Sequence, residues 1–159
     1  MRVHLLRARD SAVPERRHGT AVAVDGRAVL IRGPSGSGKS DLALRLIAAA
    51  ARWPGLCGDP VLVADDQVEL SLVDGGVIVC APAVLAGRIE VRGVGILSVP
   101  YLPQARLSLV ADLIAREAIA RLPEPDTALI LGVSLPRIDV DAFAASAPAK
   151  ILAALAEMA

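Results

Sequence analysis

Residues 27–47 read RAVLIRGPSGSGKSDLALRLI. Arg27 to Ile31 is a short apolar run of strand length, and it enters a glycine-punctuated stretch directly. Beyond that stretch, Leu42, Leu46 and Ala49 recur at helical spacing. Between strand and helix, Gly33-Pro34-Ser35-Gly36-Ser37-Gly38-Lys39-Ser40 matches the phosphate-binding pattern G-x-x-x-x-G-K-[ST]. Average residue usage produces that pattern by chance in about one chain in a few hundred of this length. Here it also has the flanking strand and helix that the motif requires. The glycines let backbone N–H groups wrap a phosphate chain, and the helix points its positive dipole end at the same place. Lys39 then neutralises the β- and γ-phosphates, and the Ser40 hydroxyl ligates Mg²⁺. The competing structural reading is a glycine-rich turn that caps a helix.

Upstream, "GTAVAVDGRAVLIRG" reads as a hairpin around Asp25-Gly26, a strong two-residue turn signal. Downstream, "PGLCGDP" is a loop, and Val61 to Ala64 a short buried strand. That strand runs into Asp65 and Asp66. Two adjacent carboxylates at the end of a core strand are costly unless something pairs with them. A nucleotide-bound Mg²⁺ needs a carboxylate at the end of a nearby strand, and "VLVADD" supplies one. Successive strand residues point to opposite faces, yet at a strand end the backbone turns and both can reach one pocket. One then serves the metal and the other an acceptor hydroxyl. The alternative for either is an N-cap or a solvated loop acid.

The rest of the chain predicts a second hairpin, Val68–Leu72 with Val77–Val79, around Asp74-Gly75-Gly76. "GRIEVRGVGILSV" (Gly87 to Val99) is glycine-punctuated strand or loop. Leu107–Leu113 and Thr127–Val133 are strands, with a helical turn over Glu117–Leu122 between them. Ser146 reads as the N-cap of a last helix reaching Met158, with Pro148 in its first turn. The expected class is α/β with a mixed sheet, since the hairpins argue against an all-parallel one.

The 159 residues suit one domain, and 54% are hydrophobic, enough for a core without disulfides or metal. That core is aliphatic, because Trp53, Tyr101 and Phe143 are the only aromatics. Zero formal net charge argues against binding nucleic acid or an acidic membrane through bulk charge. Cys57 and Cys80 have no ligand spacing and read as reduced, small apolar residues. The N-terminus lacks the apolar region of a signal peptide, and no apolar run approaches a membrane span, so the expected location is the cytoplasm. The only lysines are Lys39 and Lys150, which sets Lys39 apart from a background of solvated lysines. There is no N-K-x-D guanine motif and no long arginine-rich lid.

Four pieces, "RHGTAVAVDGRAVLIRGPSGSGKSDLAL", "VLVADDQVEL", "GRIEVRGVGIL" and "ARLPEP", together resemble the catalytic domain of bacterial HPr kinase/phosphorylase over about residues 18 to 150. The resemblance implies a P-loop core akin to phosphoenolpyruvate carboxykinase. It implies a Mg²⁺- and ATP-dependent kinase for a serine of HPr, the small phosphocarrier of the sugar phosphotransferase system, and assembly as a homo-oligomer, a hexamer in the family. Carried over by position, it makes His18 an active-site histidine and puts Gly33 to Ser40 on ATP, with Lys39 catalytic and Ser40 on Mg²⁺. Asp66 becomes the base for the substrate serine, and Asp65 supports it or the metal. Glu90 becomes the other metal-linked carboxylate, with Arg92 beside it, and Arg121 a later catalytic arginine.

Each has a plainer reading. His18 is then a solvated loop histidine, Glu90 and Arg92 an exposed ion pair, and Arg121 a charge at a helix C-terminus. The family's P-V-R-P-G-R segment, tied to dephosphorylation, is replaced here by "SAPAKIL", so kinase activity is expected to dominate over phosphorolysis. The expected organisation is one kinase domain over residues 1–159, with a flexible end over 1–17 and no separate N-terminal domain. Two other readings share the P-loop: a small-metabolite kinase, and a nucleotide-sensing module that is not an enzyme.

Overall fold

The structure, a computed structural model, describes residues 13–48 and 52–158. Eleven strands and two helices follow one another: β1 (Glu15–His18), β2 (Thr20–Val24), β3 (Arg27–Arg32), α1 (Lys39–Ala48), β4 (Val61–Ala64), β5 (Gln67–Val73), β6 (Gly76–Cys80), β7 (Arg88–Val91), β8 (Gly95–Ser98), β9 (Ala105–Leu113), β10 (Asp126–Ile130), β11 (Val133–Val140) and α2 (Ala147–Glu157). Nine strands make one mixed sheet in the order β1-β5-β6-β9-β3-β2-β4. On β9, residues 105–106 pair with β6 and residues 110–113 with β11, which carries β10 on its outer edge. The β3–β9 and β9–β11 pairs are parallel. β7 and β8 form a separate two-stranded ribbon.

The central strands are buried on both faces, so the sheet has two cores. Val22, Val24, Val29, Ile31, Leu109 and Ala111 pack against Leu42 and Leu46 of α1 and Ile151, Leu152 and Leu155 of α2. Truncating a fully buried leucine such as Leu46 to alanine costs roughly 2–5 kcal/mol. On the opposite face, Ala21, Ala23, Ala28, Leu30 and Val110 meet Val68, Leu70, Val77 and Val79, residues of strands farther along the same sheet. The sheet therefore curls over and packs on itself.

The curl starts at one bend. β1 pairs with β5 antiparallel, ending at His18↔Gln67. β2 pairs with β4 antiparallel, starting at Ala21↔Ala64. One register holds from Glu15↔Leu70 to Ala21↔Ala64 and shifts by one residue between Ala21 and Val22, so residues 15–23 and 61–70 form one bent ribbon. Its corner lies at Gly19 and Thr20 opposite Asp66 and Asp65. The Gly19 N–H donates to the Asp66 carbonyl at 3.0 Å. A Cβ on Gly19 would lie 3.0 Å from Leu30 Cδ1 and 3.3 Å from the Ile31 carbonyl oxygen, so the ribbon lies tightly over β3 at this point.

Several expectations are corrected. Glu15 to Arg17 are not part of a loose end, because they pair with β5; residues 1–12 of the expected flexible segment lie outside the described residues. Thr127–Val133 is not one strand, because Leu131-Gly132, with φ of 49° and 80°, turns the chain from β10 into β11. The predicted helical turn over 117–122 shrinks to a 3₁₀ turn at Arg116–Ala118. "GRIEVRGVGILSV" forms the β7–β8 hairpin, and Gly76 belongs to β6 rather than to the turn. Ser146 sits at the N-cap of α2, but its side chain makes no capping bond because its own backbone is already helical. The described part of the first helix ends at Ala48, and Arg52 and Trp53 are outside it. Both cysteines are free thiols.

Candidate functional site

The loop after β3 begins the site. Lys39 Nζ donates to the carbonyls of Gly33 (2.8 Å) and Pro34 (2.9 Å), so the ammonium is folded over the loop. Gly38 has a φ of 95°, a conformation that side-chain-bearing residues avoid, and its carbonyl accepts the Leu42 N–H at 2.9 Å to start α1. The N-terminal turn of α1 thus faces the loop.

Asp65 is the hub. The residue is 4% exposed, and three groups donate to its carboxylate. Thr20 Oγ1 reaches Oδ1 at 2.9 Å, Ser40 Oγ reaches Oδ1 at 2.7 Å, and the Glu90 backbone N–H reaches Oδ2 at 3.0 Å. No cation is among these partners. The bend therefore ties a strand end, the first turn of α1 and the β7–β8 ribbon to one buried anion.

Asp66 departs from its neighbour. Its φ is 67°, in the left-handed region that aspartate tolerates better than most residues, and its side chain is exposed. His18 is exposed too, opposite Gln67 one step along the ribbon. Asp65, Asp66, Ser40 and Lys39 are thus brought to one bend, with His18 at its edge. Glu90 is held there by its backbone; its carboxylate is exposed and does not engage Asp65. Arg92, in the β7–β8 turn, and Arg121, between the 3₁₀ turn and β10, are exposed. No hydrogen bond joins either to the loop among the described residues. Nor, among those residues, do three or more His, Cys, Asp or Glu side chains converge as a metal cluster.

Just below the loop, Arg32 pairs with Asp112 of β9 through two bonds, Nε–Oδ1 at 2.7 Å and Nη2–Oδ2 at 2.8 Å. Arg137 of β11 adds a bond to Asp112 at 2.7 Å and others to Asp126 and Asp139. Burial would raise the Asp112 pKa, but the hydrogen bonds and charges of Arg32 and Arg137 outweigh it and hold the carboxyl below its usual range. The bonds Arg137 donates to Asp112 and Asp126 hold its guanidinium above its usual range.

A family model described as the HPr Serine kinase C-terminal domain matches residues 10–159. The chain belongs to this family. Among curated relatives, the HPr kinase/phosphorylase of Clostridium tetani is 44% identical over 94 residues, covering 58% of this chain and 28% of that protein. That of Clostridium beijerinckii is 43% identical over the same coverage. The match thus spans under a third of the curated relatives' length. The solved Hpr(Ser) kinase/phosphatase from Coxiella burnetii superposes with a TM-score of 0.75 at 26% identity, covering 90% of this chain and 95% of that one. The mixed α/β fold with its curled sheet is therefore that of a solved member of the HPr kinase family.

Three features of the site had not been read from the residues. Thr20, fully buried, is the first donor to Asp65; a threonine opening the otherwise apolar run TAVAV was the available signal. The Glu90 backbone N–H carries no side-chain signature at all. The third is the clamp on the loop's outer flank, where Arg45 of α1 donates to the carbonyls of Ala142 and Ala144.

Proposed function

We propose that the chain is an ATP-dependent protein-serine kinase for HPr, acting in the cytoplasm to regulate the sugar phosphotransferase system. The family of the chain supports the class of activity. One observation supports the chemistry: Ser40, in the first turn of α1, donates to a buried carboxylate at 2.7 Å. A hydroxyl and a carboxylate, both hard oxygen donors at the mouth of a glycine-rich loop, fit Mg²⁺. Ser40 and Asp65 would hold it, and Glu90 stands close through its backbone. Bound there, the ion neutralises charge on the β- and γ-phosphates.

In this reading Gly33 to Ser40 form a P-loop, in a core like that of phosphoenolpyruvate carboxykinase. Its backbone N–H groups bind the phosphates, and Lys39 swings from the loop carbonyls to the transferred group. Asp66, on the solvent side of the bend, takes the proton of the acceptor serine as its oxygen attacks the γ-phosphorus. The bond from that phosphorus to the β–γ bridging oxygen breaks, and ADP leaves. His18 stands beside Asp66 and orients the acceptor. Arg92 and Arg121 are the remaining positive charges for the transferred group, and both must approach it from the exposed segments that carry them. Exposed Val94 and Ile96 on the β7–β8 ribbon support a homo-oligomer. Phosphorolysis of phosphoserine-HPr is weak, since "SAPAKIL" lacks the arginines of the family segment. No helix among the described residues is long and apolar enough to cross a membrane, which is compatible with the cytoplasm.

The test is labelled ATP with purified HPr, comparing wild type with Asp66→Asn and Lys39→Ala. Label on HPr with the wild type alone is expected. An HPr that is never labelled refutes the function, and wild-type transfer by Asp66→Asn refutes the base.

A further inference from the structure

We propose that the recess on the outer flank of the glycine-rich loop seats the nucleobase of the bound nucleotide, with the Phe143 ring as its stacking platform. The inference rests on the nucleotide reading above and adds where the base goes. The loop has two flanks. On the β2–β4 side lie Ser40 and Asp65, where the terminal phosphates belong. On the β9–β11 side is a recess of about 540 Å³, within the range of small-molecule sites. A nucleotide whose γ-phosphate faces Asp65 extends its nucleoside the other way, into this recess.

The walls suit a flat, largely apolar group with a polar edge. Leu113, Ala142 and Phe143 supply apolar surface, Arg116, Glu117 and Asp141 supply charged edges, and the loop contributes its own wall. Ser37 lines both loop and recess, and its Oγ is buried with no hydrogen-bond partner among the described residues. Phe143 is the only phenylalanine of the chain and is 76% exposed. Its ring comes within 3.4 Å of where a Cβ on Gly38 would stand, so it abuts the phosphate loop.

A lone exposed apolar side chain is ordinary. The tethering of this one is not. Asp141 Oδ1 accepts the Phe143 N–H at 3.0 Å, and the Asp141 carbonyl accepts the Ala144 N–H at 3.2 Å, closing a tight turn. Arg45 clasps that turn to α1 through the Ala142 and Ala144 carbonyls. The Ile114 N–H binds the Val140 carbonyl at 3.0 Å, joining the turn's root to the end of β9. The platform is therefore built before a ligand arrives, and stacking on it immobilises little more than one side chain.

The experiment uses the full chain with Mg²⁺ and either ATP or inorganic tripolyphosphate, titrated calorimetrically against wild type, Phe143→Ala and Phe143→Tyr. Tripolyphosphate keeps the phosphate contacts and lacks the base. Loss of a stacked base weakens ATP binding about 5- to 100-fold in Phe143→Ala, with tripolyphosphate binding unchanged and Phe143→Tyr close to wild type. Equal ATP affinity in wild type and Phe143→Ala puts the base elsewhere and overturns the proposal. Equal weakening of both ligands means the ring acts through the loop, which also overturns it. If neither ligand binds the wild type, the nucleotide reading itself fails and takes the proposal with it.

Discussion

Replacing Asp65 separates the structural role of its carboxylate from its charge. The carboxylate is buried, accepts from Thr20, Ser40 and the Glu90 backbone, and has no cationic partner. In Asp65→Ala those donors lose their acceptor. Ser40 is half-buried and can turn to water. Thr20 is fully buried, so its hydroxyl is stranded at about 1–3 kcal/mol, and the part-buried Glu90 N–H loses a bond to a charged group worth about 1.5–3 kcal/mol. The expected loss is about 2–5 kcal/mol, a melting temperature roughly 5–15 °C lower for a chain of this size. Asp65→Asn keeps the shape. Its oxygen takes the Glu90 N–H, and its amide faces two hydroxyls, which can both accept. The variant also removes a buried charge that no cation balances, so its stability stays within about 1 kcal/mol of wild type. Urea unfolding of the three proteins without nucleotide measures this. An alanine variant as stable as wild type refutes the hydrogen-bond account. An asparagine variant as damaged as alanine shows that charge, not acceptor geometry, holds the bend. If Asp65 holds Mg²⁺ as proposed, both variants lose transfer to HPr, because a neutral side chain offers the ion no anionic oxygen.

Lys39→Ala removes only two bonds to half-exposed loop carbonyls, so stability should hold within about 1 kcal/mol while transfer to HPr falls by about 100-fold or more. A melt beside a labelled-ATP assay checks both, and a large stability loss would make the lysine structural. Gly38→Ala forces a side chain into a φ of 95° and 3.1 Å from Ala142 Cβ; it should cost about 1–3 kcal/mol and weaken ATP binding, read by melting and titration. Asp112→Asn should cost about 1–3 kcal/mol at neutral pH. The Asp112 pKa is lower folded than unfolded, so its stabilisation is present above the ordinary value near 3.8 and is lost as pH falls through the folded value. The gap between wild type and Asp112→Asn in urea unfolding should therefore narrow below about pH 4. A gap that is constant with pH would show that the network is not anchored by this charge.

What was legible in the residues follows from how local each signal is. Asp25-Gly26 turns β2 into β3 with φ of 52° and 73°, and the phosphate-loop pattern starts α1 where expected, because both depend on a few adjacent residues. β1 was not legible. "ERRH" has no apolar period, and it is a strand only because β5 comes back beside it. β11 was hidden for a related reason. Pro136 and the charges of Arg137 and Asp139 give no strand signal, yet Arg137 and Asp139 form a polar network with Asp112 and Asp126. Long-range pairing supplies what the local sequence lacks.

The same contrast decides the two aspartates. Their adjacency after an apolar run pointed to one pocket, and from that alone either could have been the inward one. The direction is set by the partner strand. The common register puts Thr20 opposite Asp65 and Gly19 opposite Asp66, so the ribbon meets a hydroxyl at one aspartate and a residue without a side chain at the next. Asp65 turns in to the hydroxyl. The ribbon folds at the glycine, and Asp66 takes the left-handed conformation that the fold demands, which carries its side chain out to solvent. A buried, triply bonded carboxylate is poorly placed to shuttle a proton. An exposed one beside it is free to meet a hydroxyl brought by another protein. The bend thus gives neighbouring, chemically identical residues different environments, and that difference supports assigning the metal side to Asp65 and the acceptor side to Asp66.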